Sequence, residues 1–148
     1  MELESIYTDL ILEHSQSSHN KRHLDHADWC ERGHNPSCGD DILLELKWKD
    51  NIVEEAAFTG SGCAISQAST SMMIDLINGK SVEEAKHLAD TFLAMIKKII
   101  TEDSDLEVLE DAMAFKNISN MPARVKCAVL AWHTLNEALK NKKVNEKI

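Results

Sequence analysis

The sequence predicts an α+β fold in which a small antiparallel sheet carries helices on one face. Three observations predict it. Apolar residues alternate over 42–48, as a half-buried strand requires. After Cys63 the apolar spacing becomes helical and stays so. The strand-like segments precede the helical ones instead of alternating with them.

In chain order, Leu3, Ile6, Leu10 and Ile11 lie at helical spacing with Tyr7 on the flank, so residues 3–14 read as a short amphipathic helix. Residues 15–37 are polar and aperiodic and read as a long loop or arm. Ile42, Leu44, Leu46 and Trp48 form one face of a strand, with Leu43, Glu45 and Lys47 on the other. Asp50-Asn51 is a turn, and residues 52–58 close a hairpin. Gly60 and Gly62 flank a sharp change of direction. A helix then buries Ile65, Ala68, Met72 and Leu76, and Gly79 stops it. Ser81-Val82-Glu83-Glu84 is a capping box for a helix striped by Val82, Ala85, Leu88, Phe92, Ile96 and Ile99. Ser104-Asp105-Leu106-Glu107 is a second such box, for a helix near 105–113. Pro122 suits a first helical turn, and the last helix buries Val125, Val129, Trp132 and Leu139.

The 148 residues fit a single domain, 1–148, with a core of its own. With 16 basic against 25 acidic residues the formal charge is −9, which argues against a nucleic-acid backbone as partner. The start, Met1-Glu2-Leu3-Glu4, lacks the charged and apolar regions of a secretory signal, and no apolar run reaches membrane-spanning length. The expected address is the cytoplasm, where thiols stay reduced and cysteines serve metal or sulfur chemistry more often than disulfides.

Three of the four cysteines sit beside features that fix the backbone. Cys38 and Asp40 flank Gly39, which lets the two heads converge. Cys63 follows Gly60-Ser61-Gly62 at a predicted helix start, and Cys127 lies near the start of the last helix. Thiolates gain there from the helix dipole. Three sulfurs and one carboxylate would satisfy zinc, at Zn–S distances of about 2.3 Å. The competing reading is that each thiol is a small buried hydrophobe. Arg124, three residues before Cys127, shares its helical face and could hold Asp40 or neutralise thiolates; a surface arginine fits the spacing as well. Cys30, in the polar arm, reads as incidental. The histidines at 14, 19, 23, 26 and 34 read as exposed loop residues, with His34 the nearest in sequence to Cys38.

At these residues the chain resembles the IscU/NifU-type iron–sulfur assembly family. The resemblance rests on Asn-Pro-Ser-Cys-Gly-Asp at 35–40, Gly-Ser-Gly-Cys-Ala-Ile-Ser at 60–66, Ala-Ser-Thr-Ser-Met-Met at 68–73 and Tyr-Thr-Asp-Leu-Ile-Leu-Glu-His at 7–14. Pro-Ala-Arg-Val-Lys-Cys at 122–127 is similar to the SufU branch. The resemblance covers about 5 to 140 and implies a three-stranded antiparallel sheet with helices packed on one face. It also implies a zinc held by Cys38, Asp40, Cys63 and Cys127, with Cys38 accepting persulfide sulfur from a SufS-type pyridoxal-phosphate cysteine desulfurase. The resemblance further implies that the desulfurase takes over the zinc through a histidine of its own. Such a protein is a sulfurtransferase-type partner of the desulfurase rather than a stand-alone enzyme, and hands on to downstream cluster-assembly proteins.

The chain departs from the scaffold branch at two places. Lys126 stands where that branch has His, and Met121-Pro122-Ala123-Arg124-Val125 lacks the second proline of its chaperone-binding segment. The stretch between Cys63 and Cys127 is also longer, another SufU-like mark. The expected function is therefore a zinc-dependent sulfur acceptor and carrier in iron–sulfur cluster assembly. The alternative is a scaffold on which an iron–sulfur cluster is built and transferred, since the same thiolates would hold one.

Overall fold

A computed structural model describes the backbone of residues 2–37 and 39–146 and the side chains of residues 8–37 and 39–142. The chain runs α1 (Glu2–Gln16), β1 (Trp29–Asn35), β2 (Asp40–Lys49), β3 (Ile52–Ser61), α2 (Ala64–Ile77), α3 (Val82–Ile96), α4 (Asp103–Leu106), a run of 3-10 turns (Glu107–Asn120) and α5 (Pro122–Glu146). The side chains of Leu3, Ile6 and Tyr7 lie outside the described residues; Leu10 and Ile11 of α1 pack against the core as the spacing predicts.

The three strands form one antiparallel sheet in the order β1-β2-β3. Asn35 pairs with Asp40 and Trp29 with Leu46; across the other seam Ile42 pairs with Gly60 and Leu46 with Ala56. Asp50 and Asn51 both take positive φ, 51° and 64°, which suits the two-residue turn joining right-twisted strands. Ile42, Leu44 and Leu46 are fully buried, so the alternation reports the core face correctly. β3 extends to Ser61, three residues beyond the predicted end.

β1 corrects the reading of residues 15–37 as loop. Its segment, Trp-Cys-Glu-Arg-Gly-His-Asn, is polar because it is an edge strand held by pairing and by polar contacts. Glu31 Oε1 accepts from Trp29 Nε1 at 3.0 Å and from Asn141 Nδ2 of α5 at 2.9 Å. A Cβ at Gly33 would lie 2.0 Å from Thr134 Oγ1, so only glycine lets α5 lie this close to the strand. The arm before β1 is pinned as well. Asn20 donates its amide to Ser71 O and to Asp75 Oδ1, both at 2.9 Å, and its carbonyl accepts from Phe58 N at 3.0 Å.

α2 is the hub of the helical layer. It packs on α1, β3, α3, the 3-10 segment and α5, and from Ser66 to Ile77 all but Asp75 are buried. Ser69 Oγ donates to Ala128 O at 2.6 Å and accepts from Trp132 Nε1 at 2.9 Å, which satisfies a fully buried indole. Trp132 also stacks on Phe92 of α3, with ring centroids 4.2 Å apart and planes at 8°.

The helix-end signals behave unequally. Gly79 takes φ 80° just past α2, and Ser81 Oγ accepts from Glu84 N at 3.1 Å to open α3. α3 stops at Ile96, so Ile99 does not continue its stripe and is 73% exposed. The second capping box is not used: α4 is capped at Glu102 without a side-chain bond, and Ser104 lies inside the helix. The helix expected near 105–113 is broken at Glu110, whose φ of 49° and ψ of −125° are non-helical. Pro122 opens α5 as predicted. Trp132 and Leu139 are buried, whereas Val125 and Val129 are partly so. Among the described residues, no helix is long and apolar enough to cross a membrane.

Candidate metal centre

Three of the four predicted ligands lie at or near the starts of structural elements. Asp40 is the first residue of β2, Cys63 is the N-cap of α2, and Cys127 lies in the second turn of α5. One donor atom from each lies within 4.8 Å of the others. Asp40 is fully buried, Cys127 is 4% exposed and Cys63 is half-buried. The fourth, Cys38, lies outside the described residues; the chain ties it to Asp40 through Gly39, which has φ 73°.

Local backbone chemistry aims these donors. Cys63 has the extended dihedrals of an N-cap, φ −72° and ψ 168°, and its Sγ accepts from Ser66 N at 3.5 Å. Its own N–H donates to Asp40 Oδ1 at 3.0 Å, so one ligand orients another. The glycines make the approach possible. A Cβ at Gly62 would lie 2.5 Å from Asp40 Oδ1, and one at Gly60 would lie 2.0 Å from Asp41 O. Gly60 also takes φ 125°, which L side chains rarely adopt.

The donor set fits a borderline-soft, tetrahedral cation. In a tetrahedral shell with Zn–S bonds of about 2.3 Å, sulfur ligands stand roughly 3.7 Å apart, and the donor atoms here all fall within 4.8 Å of one another. Thiolate and carboxylate donors suit zinc, and thiolates suit iron–sulfur clusters. Among the described residues no other three His, Cys, Asp or Glu side chains converge in this way.

The remaining residues singled out by sequence lie elsewhere. Arg124 is exposed in the first turn of α5. Cys30 is an exposed thiol on β1, raised in pKa first by desolvation and then by the Glu45 carboxylate. His34 is exposed and pairs in register with Asp41. His14 is not a loop residue: it lies in the last turn of α1, is only 11% exposed at its side chain, and its Nδ1 hydrogen-bonds with Ser71 Oγ at 3.2 Å. His23 meets Glu45 at 2.9 Å and His19 meets Asp75 at 3.0 Å. Sequence reasoning missed Ser66, whose side chain is buried one turn into α2 beside the centre. Its place at i+3 from an N-cap cysteine was the available signal.

Comparison with known proteins gives a consistent family. The profile of the NifU-like N terminal domain matches residues 6–147. The chain is 43% identical over 140 residues to the iron-sulfur cluster assembly scaffold protein IscU of Thermotoga maritima, covering 95% of this chain and 96% of that protein. It is 38% identical over 137 residues to the zinc-dependent sulfurtransferase SufU of Bacillus subtilis, covering 93% and 91%. Among solved structures, a SUF-system scaffold-type protein from Fervidobacterium islandicum superposes with a TM-score of 0.84 at 34% identity, covering 92% of this chain and 98% of that one.

Proposed function

The chain belongs to the NifU-like N-terminal domain family of iron–sulfur cluster assembly proteins, and from that premise we propose that it is a zinc-dependent sulfur acceptor and carrier. The observation that supports this reading is the convergence of Asp40, Cys63 and Cys127, two thiols and a buried carboxylate drawn from three separate elements. Cys38 completes the donor set and is the sulfur acceptor. The donor is a SufS-type pyridoxal-phosphate cysteine desulfurase carrying a persulfide, and the setting is the cytoplasm. Lys126, in place of the scaffold branch's His, supports transfer over cluster building.

The transfer balances as a thiol exchange. The Cys38 thiolate attacks the terminal sulfur of the desulfurase persulfide; a new S–S bond forms at Cys38, the old one breaks, and the desulfurase cysteine leaves as thiolate. Zinc held by these residues would keep its cysteine ligands deprotonated at neutral pH. Asp40 is the weaker ligand of the set, held in place by the Cys63 N–H, and leaves the donor set exchangeable. Arg124, one turn before Cys127, brings a cation to the same end of α5.

Sulfur transfer from a desulfurase loaded with labelled cysteine tests the proposal. The unsubstituted chain takes up label and stimulates turnover, and Cys38→Ser does neither. A Cys38→Ser variant that still accepted label would end the assignment. The scaffold reading keeps the support of the IscU-named relative at 43% identity. A stable coloured cluster after anaerobic purification, transferable to an apo-acceptor, would favour it over transfer.

A further inference from the structure

Four buried side-chain polar atoms among the described residues have no hydrogen-bond partner, and three of them belong to Ser66 and Gln67. Both residues lie in the turn of α2 that directly follows Cys63. Ser66 is 1% exposed and Gln67 7%. A buried hydroxyl without a partner destabilises a fold, so a fold that keeps one beside a ligand cluster is holding a donor for something absent.

The surroundings of Ser66 Oγ indicate what that is. A methyl placed on Gly62 would lie 3.2 Å from Ser66 Oγ and 2.5 Å from Asp40 Oδ1. One small gap, kept open by the missing side chain of Gly62, therefore borders both the unpaired hydroxyl and the buried carboxylate. The backbone duties of Ser66 are separate: its N–H donates to Cys63 Sγ, and its carbonyl accepts from Thr70 Oγ1 at 2.7 Å. Only the hydroxyl is unassigned.

We infer that Ser66 is a positioning residue whose hydroxyl donates to the Asp40 carboxylate when the centre is loaded, and thereby sets how tightly that carboxylate holds its metal. The inference rests on the zinc reading above. Ligating carboxylates are held by such outer hydrogen bonds, and removal of one typically lowers metal affinity about 10–100-fold. Asp40, the weakest donor of the set, is the ligand whose hold is easiest to adjust in this way.

The test is zinc binding by the full chain, in competition with a chromogenic chelator, for the unsubstituted protein, Ser66→Ala, Asp40→Ala and the double variant. Ser66→Ala is expected to weaken zinc about 10–100-fold. Its metal-free unfolding midpoint is expected to stay unchanged or rise, because an unpaired buried hydroxyl is removed while the N-cap bond remains. In the Asp40→Ala background Ser66→Ala is expected to change nothing. Ser66→Ala binding zinc as tightly as the unsubstituted chain, or losing the same factor with and without Asp40, overturns the inference. If the unsubstituted chain takes no zinc, the metal reading itself falls and this inference falls with it.

Discussion

Ser69 and Ser66 stand three residues apart on α2, and both are buried, yet they are treated in opposite ways. Ser69 Oγ donates to Ala128 O and accepts from Trp132 Nε1, so its bonds tie α2 to α5. Ser66 Oγ bonds to nothing among the described residues. The difference shows where the helix changes occupation. Beyond its first turn α2 is a structural strut whose polar atoms are consumed by the fold. At its first turn, next to Cys63, polarity is left unspent.

The strongest way to sharpen that contrast is to remove a donor at the unspent end. Cys63→Ala deletes one sulfur and the cap acceptor for Ser66 N. Zinc content after desalting is expected to fall by more than the roughly 10–100-fold an outer partner commands. The metal-free protein is expected to lose only about 1 kcal/mol, the usual value of an N-cap, in urea unfolding. Retention of zinc by this variant would break the comparison.

Next comes the consumed end. Trp132→Ala removes an indole that stacks on Phe92, and is expected to cost about 3–5 kcal/mol of stability. Equilibrium denaturation reads it, and the loss is expected with or without metal. Ser69→Ala is milder. It leaves the Trp132 N–H buried and unpaired, for about 1–3 kcal/mol. Ser66→Ala, measured without metal on the same chain, is expected to cost nothing; equal losses from the two serines would erase the distinction drawn between them.

Much of this arrangement was legible in the sequence. Strict alternation at Ile42, Leu44 and Leu46 gave the core face of β2, and Gly79 with Ser81 marked the junction of α2 and α3. The convergence of Asp40, Cys63 and Cys127 followed from the glycines beside the first two and from the family resemblance. What escaped notice lacked an apolar signature. β1 buries Gly33 and meets α5 where Glu31 bonds Asn141 and Gly33 lies against Thr134, so periodicity in hydrophobic residues cannot reveal it. Ile99 looked like a stripe residue because the end of α3 at Lys97 carries no glycine or proline. Ser104 had the right spacing for a cap, but α4 is capped two residues earlier, at Glu102. Ser66 escaped because a serine inside a helix start says nothing about whether its hydroxyl will find a partner.

Two neighbouring carboxylates offer the smallest test. Asp40 is buried and takes the Cys63 N–H, while Asp41, on the opposite face of β2, takes Arg32 Nε at 2.9 Å. The bonds from Arg32 hold the Asp41 carboxyl below its ordinary pKa. A group lowered in this way stabilises the fold above its unfolded pKa, and that contribution is lost as pH falls through the folded value. Arg32→Ala is therefore expected to raise the Asp41 titration midpoint, followed by NMR, and to flatten the acid limb of the stability curve slightly. No change in zinc content is expected; a loss would mean that the two faces of β2 are coupled.

A last consequence concerns the distance in sequence between the three donors. They hang from the outset of a strand, the hub helix and the long final helix, so an ion seated among them would be a clasp added to the packing and the few hydrogen bonds that already join these parts of the chain. Ligand binding to the native state alone raises stability with the logarithm of free ligand concentration. On the zinc reading proposed above, the melting temperature of this protein becomes a gauge of how much metal its surroundings offer.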